Sequence, residues 1–102
     1  MRVITKARLK RFWETHPQAR TALEDWYRVA EKARWQSIED IRRAYPAADV
    51  AKVKSGGTVT IFNIGGNKYR LVAAVHYNAK RVYVLHIMTH EEYSRDAWKE
   101  RF

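Results

Sequence analysis

The sequence predicts an α+β domain, an N-terminal helical hairpin packed on an antiparallel β-meander with a short helix at the C-terminal end. Three observations predict it. Apolar residues recur at helical spacing as far as Pro46, strand-like runs separated by turn residues fill positions 49–88, and Thr89-His90-Glu91-Glu92 opens a new helix. Helices first, then strands, then one helix is the pattern of a sheet whose helices gather on one face.

Thr5 reads as the N-cap of the first helix. Ile4 and Leu9 stand at staple positions around it, and Leu9, Phe12 and Trp13 follow at helical spacing, which places the helix over about 6–15. His16-Pro17 interrupts it, and Pro17 suits the first position of a second helix running to about Ala33. That helix collects Ala19, Leu23, Trp26, Tyr27 and Ala30 on one face, with Glu24 and Arg28 as an i,i+4 pair on another. The two helices are expected to form an antiparallel hairpin. Ser37, with Asp40 three residues on, has the spacing of a capping box for a short third helix; it turns Ile38, Ile41 and Tyr45 inward before Pro46 ends it.

Extended structure follows. A short strand over 49–54 turns at Ser55-Gly56-Gly57 into TVTIFNI, and Gly65-Gly66 supplies positive φ for a tight hairpin into NKYRLVAAVHY. Asn78-Ala79-Lys80 then leads to RVYVLHIM. As a three-residue loop it places Tyr77 opposite Arg81, Arg70 opposite Met88 and Val72 opposite His86, an alignment that a loop of two or four residues would break. Alternation turns Tyr69, Leu71, Ala73, Val75 and Tyr77 toward the helices and leaves Arg70, Val72, Ala74, His76 and His86 on the open face. Trp13, Trp26, Trp35 and Trp98 read as core or hinge anchors rather than ligand stackers.

A chain of 102 residues, 46% apolar, is predicted to form one domain over 1–102. Its 20 Lys and Arg against 11 Asp and Glu leave a net charge of +9. Six of the basic residues (Lys52, Lys54, Lys68, Arg70, Lys80 and Arg81) lie between Val50 and His90, where there is no acid at all. A sheet so charged suits an anion: nucleic acid, an anionic membrane or an acidic protein. The chain has no cysteine, so disulfides, thiol chemistry and Cys-ligated zinc are excluded. No apolar run approaches the roughly 20 residues of a membrane span. The start MRVITKARLKRF lacks the apolar core of a signal peptide, and a cytoplasmic location is expected.

The sharpest local signal is Met88-Thr89-His90-Glu91-Glu92-Tyr93. Thr89 with Glu92 fits a capping box and Met88 with Tyr93 a hydrophobic staple, so Thr89 is the N-cap and His90 the first helical residue. Free N–H groups and the positive dipole end make such a position attractive to phosphate, and a histidine there brings proton exchange near neutral pH. Taken singly, each residue also has a plainer reading: a strand arginine as a solvated charge, a helix-start histidine as exposed surface. His76, His86 and His90 share a face by parity alone, and no metal site is assigned to them.

FNIGGNKYRLV followed by VYVLHIMTHEEY resembles the HigB-type toxins of the RelE/ParE superfamily, and the likeness extends to LKRFWETHP, Ala33-Arg34-Trp35 and Tyr45-Pro46. The resemblance implies an endoribonuclease that enters the ribosome and cuts translated mRNA in the A site without a cofactor. It also implies inhibition by a cognate HigA-like helix-turn-helix antitoxin. Arg70 then matches the superfamily's phosphate-contacting arginine, and His90 and Tyr93 its T-H-x-E-Y motif, as catalytic residues. Lys52, Lys54, Asn67, Lys68, Arg81 and His86 are the expected RNA-binding residues. Leu85 stands where the family often has Arg, and Ser94 where it often has Asp; each departure removes a charge near the expected site. A topoisomerase poison like the ParE branch, or a noncatalytic RNA-binding module, are the alternative readings.

Overall fold

The computed structural model describes residues 1–102 and orders the chain as β1 (Arg2–Ile4), α1 (Ala7–Thr15), α2 (Arg20–Lys32), α3 (Ile38–Ala44), β2 (Asp49–Lys52), β3 (Thr58–Ile64), β4 (Tyr69–His76), β5 (Arg81–Thr89) and α4 (His90–Ser94). A 3₁₀ turn at Pro17–Ala19 leads into α2, and another at Ala97–Arg101 follows α4. The strands form one sheet in the order β1-β5-β4-β3-β2. The expected α+β class holds, with β2 to β5 as the antiparallel meander.

The sheet is mixed, however, because β1 pairs parallel to β5, with Val3 beside Val82. This corrects the expected start of the chain. Thr5 does not cap α1: it adopts a φ of 68° and its hydroxyl donates to the Val84 carbonyl at 2.8 Å, turning the chain from the sheet edge into the helix. Two further local expectations fail in similar ways. Ser37 makes no side-chain cap, and Asp40 instead accepts from the Gln36 N–H at 2.9 Å. Glu24 pairs with Arg20 at 3.2 Å rather than with Arg28, which bonds Asp25.

The main core lies between the helices and one sheet face. Leu9, Leu23, Trp26, Ala30 and Ile41 meet Phe62, Leu71, Ala73 and Val84 there, as helical spacing and strand alternation require. Trp26, Trp35 and Tyr45 surround the Phe62 ring at 5.4, 5.9 and 5.3 Å between centroids, which explains why Ala-Arg-Trp and Tyr-Pro stand where they do. The opposite face, expected to be open, carries a second cluster. Val59, Ile61, Val72 and Met88 are covered by Trp98, and the chain end is tied down by Lys54 N–H to the Lys99 carbonyl and Ser55 N–H to the Phe102 carbonyl.

The β4–β5 connection has four residues, yet the predicted pairs Arg70–Met88 and Val72–His86 both form. A bulge reconciles the two. Ala73 pairs with Val84 and Val72 with His86, so Leu85 is the extra residue, and the predicted pair Tyr77–Arg81 is replaced by His76–Arg81. Without that bulge a four-residue loop would have sent His86 and Met88 to the helical side.

Candidate active site

The site is built where β4 and β5 end and α4 begins. Thr89 accepts from the Glu92 N–H at 3.2 Å while the Glu92 carboxylate accepts from the Thr89 N–H at 3.1 Å, the capping box expected from the sequence. The His90 N–H donates to the Lys68 carbonyl at 2.9 Å, which ties the helix start to the β3–β4 turn. His90 is thus fixed by backbone on both sides while its ring stays exposed.

Arg70 lies beneath it, and only 7% of its surface is exposed. Nη1 donates to the Asn67 and Tyr69 carbonyls at 3.1 and 3.2 Å, and Nη2 to the Asn67 side-chain oxygen. Asn67 can offer both oxygens because it sits at φ 87° in the hairpin turn. Nη2 also meets His90 Nδ1 at 3.2 Å. A guanidinium only donates, so Nδ1 accepts, and the neutral ring carries its proton on Nε2. None of these bonds goes to a carboxylate, and Arg70 belongs to none of the chain's ion pairs. A buried cation held entirely by neutral acceptors is costly unless an anion joins it.

Tyr93 completes the group. Its ring lies 5.1 Å from the Arg70 guanidinium carbon and stacks on Trp98 at 5.6 Å, so its faces are engaged inside the protein. The phenol oxygen is the polar group left to offer a ligand. Trp98, read from the sequence as an anchor, holds this tyrosine in place and gives its own indole N–H to the Tyr93 carbonyl at 3.2 Å.

The predicted RNA-contacting residues divide by position. Asn67, Lys68 and His86 lie at this end of the sheet, with the Lys68 side chain exposed. Lys52 pairs with Thr58 and Arg81 with His76, both at the other end of their strands, roughly 20 Å from Arg70 by strand rise. Lys54 is there too and is paired with Glu100 at 3.6 Å. His76 packs against Tyr83 at that far end, and no group of three His, Asp or Glu side chains is placed to hold a metal ion. Size does not mark the site either. A groove of ≈590 Å³ runs between α1 and α2 past Trp13 and Tyr27, on the helical layer and away from Arg70.

The family model for HigB toxins, the RelE-like toxic component of a toxin–antitoxin system, matches residues 19–96. The chain belongs to the HigB toxin family. It is 32% identical over 95 residues to the mRNA interferase HigB of Escherichia coli O6:H1, covering 93% of this chain and 90% of that protein. It is 33% identical over 93 residues to the mRNA interferase toxin HigB of E. coli K12 and to the mRNA interferase HigB of Shigella flexneri, covering 91% of this chain and 88% of each. A HigB toxin is one half of a pair, so an antitoxin partner follows from membership. No helix of this HigB family member is long and apolar enough to cross a membrane.

The two departures from the family pattern have structural places. Leu85 is the bulge residue and packs against the second cluster, so an apolar side chain suits it. The Ser94 hydroxyl donates to the His90 carbonyl at 3.0 Å and closes the turn of α4 without reaching the Arg70 guanidinium.

Burial, and after it the positive charge of Arg101, push the His86 imidazole below its ordinary value; Glu92 opposes the shift and Arg8 adds to it. The unfolded chain therefore takes up this proton at higher pH than the folded one. Stability is full above about 6.5 and is lost as pH falls from there toward the folded value. Glu92 acts in the same direction at lower pH, its carboxyl held down first by the Thr89 N–H. The urea midpoint should consequently drop between pH 7.5 and 5.5, and His86→Gln should shrink that drop. A drop of equal size in the variant would place the acid sensitivity elsewhere.

Proposed function

We propose that this chain is an mRNA endoribonuclease that cuts translated messages on the ribosome, in the cytoplasm, under the control of a helix-turn-helix antitoxin. The observation that carries the reading is the buried Arg70 guanidinium, free of any carboxylate and bonded to His90 Nδ1 at 3.2 Å. The names of the relatives, mRNA interferases, support the same substrate.

The reaction is an internal transesterification. The ribose 2′-oxygen bonds to the adjacent phosphorus, the bond to the 5′-oxygen breaks, and the products are a 2′,3′-cyclic phosphate, or its hydrolysed form, and a 5′-hydroxyl. When the scissile phosphate arrives, Arg70 Nη2 turns from Nδ1 to a phosphate oxygen and stabilises the charge that builds on it. The lone pair so released on Nδ1 takes the 2′-hydroxyl proton, and the Nε2 proton is aimed outward toward phosphate or leaving oxygen. Tyr93 positions the sugar through its phenol oxygen, and Lys68 holds the backbone nearby. The 2′-hydroxyl supplies the nucleophile, so the scheme calls on no cofactor. Few acid and base groups suffice because the ribosome presents the message already aligned.

Mapping mRNA 5′ ends after brief induction tests this. New ends in register with codons of translated messages are expected. Growth arrest with intact messages and damaged DNA would point to a topoisomerase poison, and RNA binding without new ends to a noncatalytic module.

A further inference from the structure

Beyond Tyr83 no strand covers the outer edge of β5, because β1 pairs only as far as that residue. Helix α1 takes the place of the missing strand there. Between helix and edge runs a groove of ≈210 Å³ lined by Arg8, Arg11, Phe12, His86 and Ile87. Arg8 and Arg11 stand one helical turn apart, both exposed, and neither is paired with a carboxylate. Most other arginines on the helices, Arg20, Arg28, Arg42 and Arg43, have such a partner. His86 is the diagonal cross-strand neighbour of Arg70, spaced by about 7–8 Å on the same face. The bulge at Leu85 is what keeps it there. Phe12 and the edge of the His86 ring give the groove an apolar wall, and the two guanidiniums a bidentate donor set for one phosphate.

We propose that Arg8 and Arg11, with His86 beside them, form a second phosphate site that binds the RNA phosphodiester neighbouring the one at Arg70. The nature of the ligand rests on the endoribonuclease reading; the groove itself does not. A single strand crossing from Arg70 over β5 to α1 would then be held at two successive phosphates. That fixes the direction of the strand across the site, which one arginine and one histidine alone leave open. The same edge explains why Thr5 turns the chain sharply: it delivers α1 alongside β5 rather than across it.

The test compares Arg8→Gln/Arg11→Gln with Arg2→Gln/Arg34→Gln, which removes equal charge away from the groove: Arg2 lies at the far end of the sheet, and Arg34 follows Ala33, whose carbonyl accepts from the Met1 amine. The probe is a fluorescein-labelled, 2′-O-methylated single-stranded RNA that binds but cannot be cut, titrated against each full-length protein at several salt concentrations. All three proteins are expected to melt alike, since the four arginines are exposed. The first pair should weaken binding at least tenfold and flatten the log K against log salt slope by about 0.7, the value for one phosphate on a single strand. The second pair should stay within about twofold of wild type. Equal losses from both pairs would reduce the effect to net charge and overturn the proposal, as would a wild type that fails to bind the probe. Unchanged probe binding with weaker binding to vacant ribosomes would assign the groove to ribosomal RNA and overturn it too. Absence of new mRNA ends in cells, alongside a selective loss of probe binding, would remove the nuclease reading and leave the groove standing.

Discussion

His90→Gln should melt close to the wild-type chain and cut translated mRNA about 10²- to 10⁴-fold more slowly, the range for losing a general acid or base. The geometry makes this substitution clean. A glutamine oxygen can accept from Arg70 Nη2 where Nδ1 does now, and its amide can point outward like Nε2–H, so the hydrogen bonds survive and only proton exchange is lost. The backbone bonds of position 90, to the Lys68 and Ser94 groups, do not depend on the side chain. Thr89→Ala gives the complementary result. It removes the cap and should cost about 1 kcal/mol of stability, with activity falling only as far as His90 is displaced. A His90→Gln protein that cuts at the wild-type rate on programmed ribosomes would leave His90 as a helix-start residue and move the proton transfer to Lys68 or to a ribosomal group.

Arg70 should show two losses, and they can be separated. Its expected place on an open face would have made Arg70→Ala harmless to the fold. Buried as it is, alanine takes a donor from the Asn67 and Tyr69 carbonyls, and at the buried Tyr69 carbonyl a lost donor costs about 1–3 kcal/mol. Arg70→Lys fills most of the volume and keeps the charge, but one ammonium cannot serve two carbonyls, the Asn67 side chain and a phosphate at once. Cleavage per folded molecule should fall on the order of 10²-fold or more in the lysine variant, the scale for one lost oxyanion donor. Single-turnover cleavage on programmed ribosomes, normalised to the folded fraction from urea titration, measures it. Wild-type turnover in that assay would sink the role given to Arg70.

What the sequence determined by itself was most of what depends on near neighbours, the Ser37 cap and the Glu24–Arg28 pair excepted. Helical spacing placed Leu9, Leu23, Trp26 and Ile41 in the core, strand alternation set Leu71 and Ala73 against Arg70 and Val72, and the Thr89–Glu92 box put His90 at a helix start. Each is an interaction across a few residues, so residue type and interval suffice to reveal it. The choice of Arg70 and His90 came from the family motif, and their nearness from a β4–β5 register that holds only because the bulge at Leu85 offsets the longer loop.

Tertiary structure alone decided the rest, because the partners lie far apart in the chain. Strand β1 exists only through β5, and Val3 and Ile4 carry too little pattern to announce a strand whose partner is 79 residues away. Helix α1 was displaced from its predicted cap by that same pairing, since Thr5 had to turn the chain off the sheet edge. The bulge at Leu85 offset a loop one residue longer than expected, a cancellation that periodicity cannot display because each half alone would have reversed the faces. The second sheet face was closed by Trp98 and the chain end, which converted Arg70 from a surface charge into a buried one held by neutral acceptors. That burial is the physical reason the site demands an anion: in water a guanidinium is content with solvent, and beneath Tyr93 and Trp98 it is not.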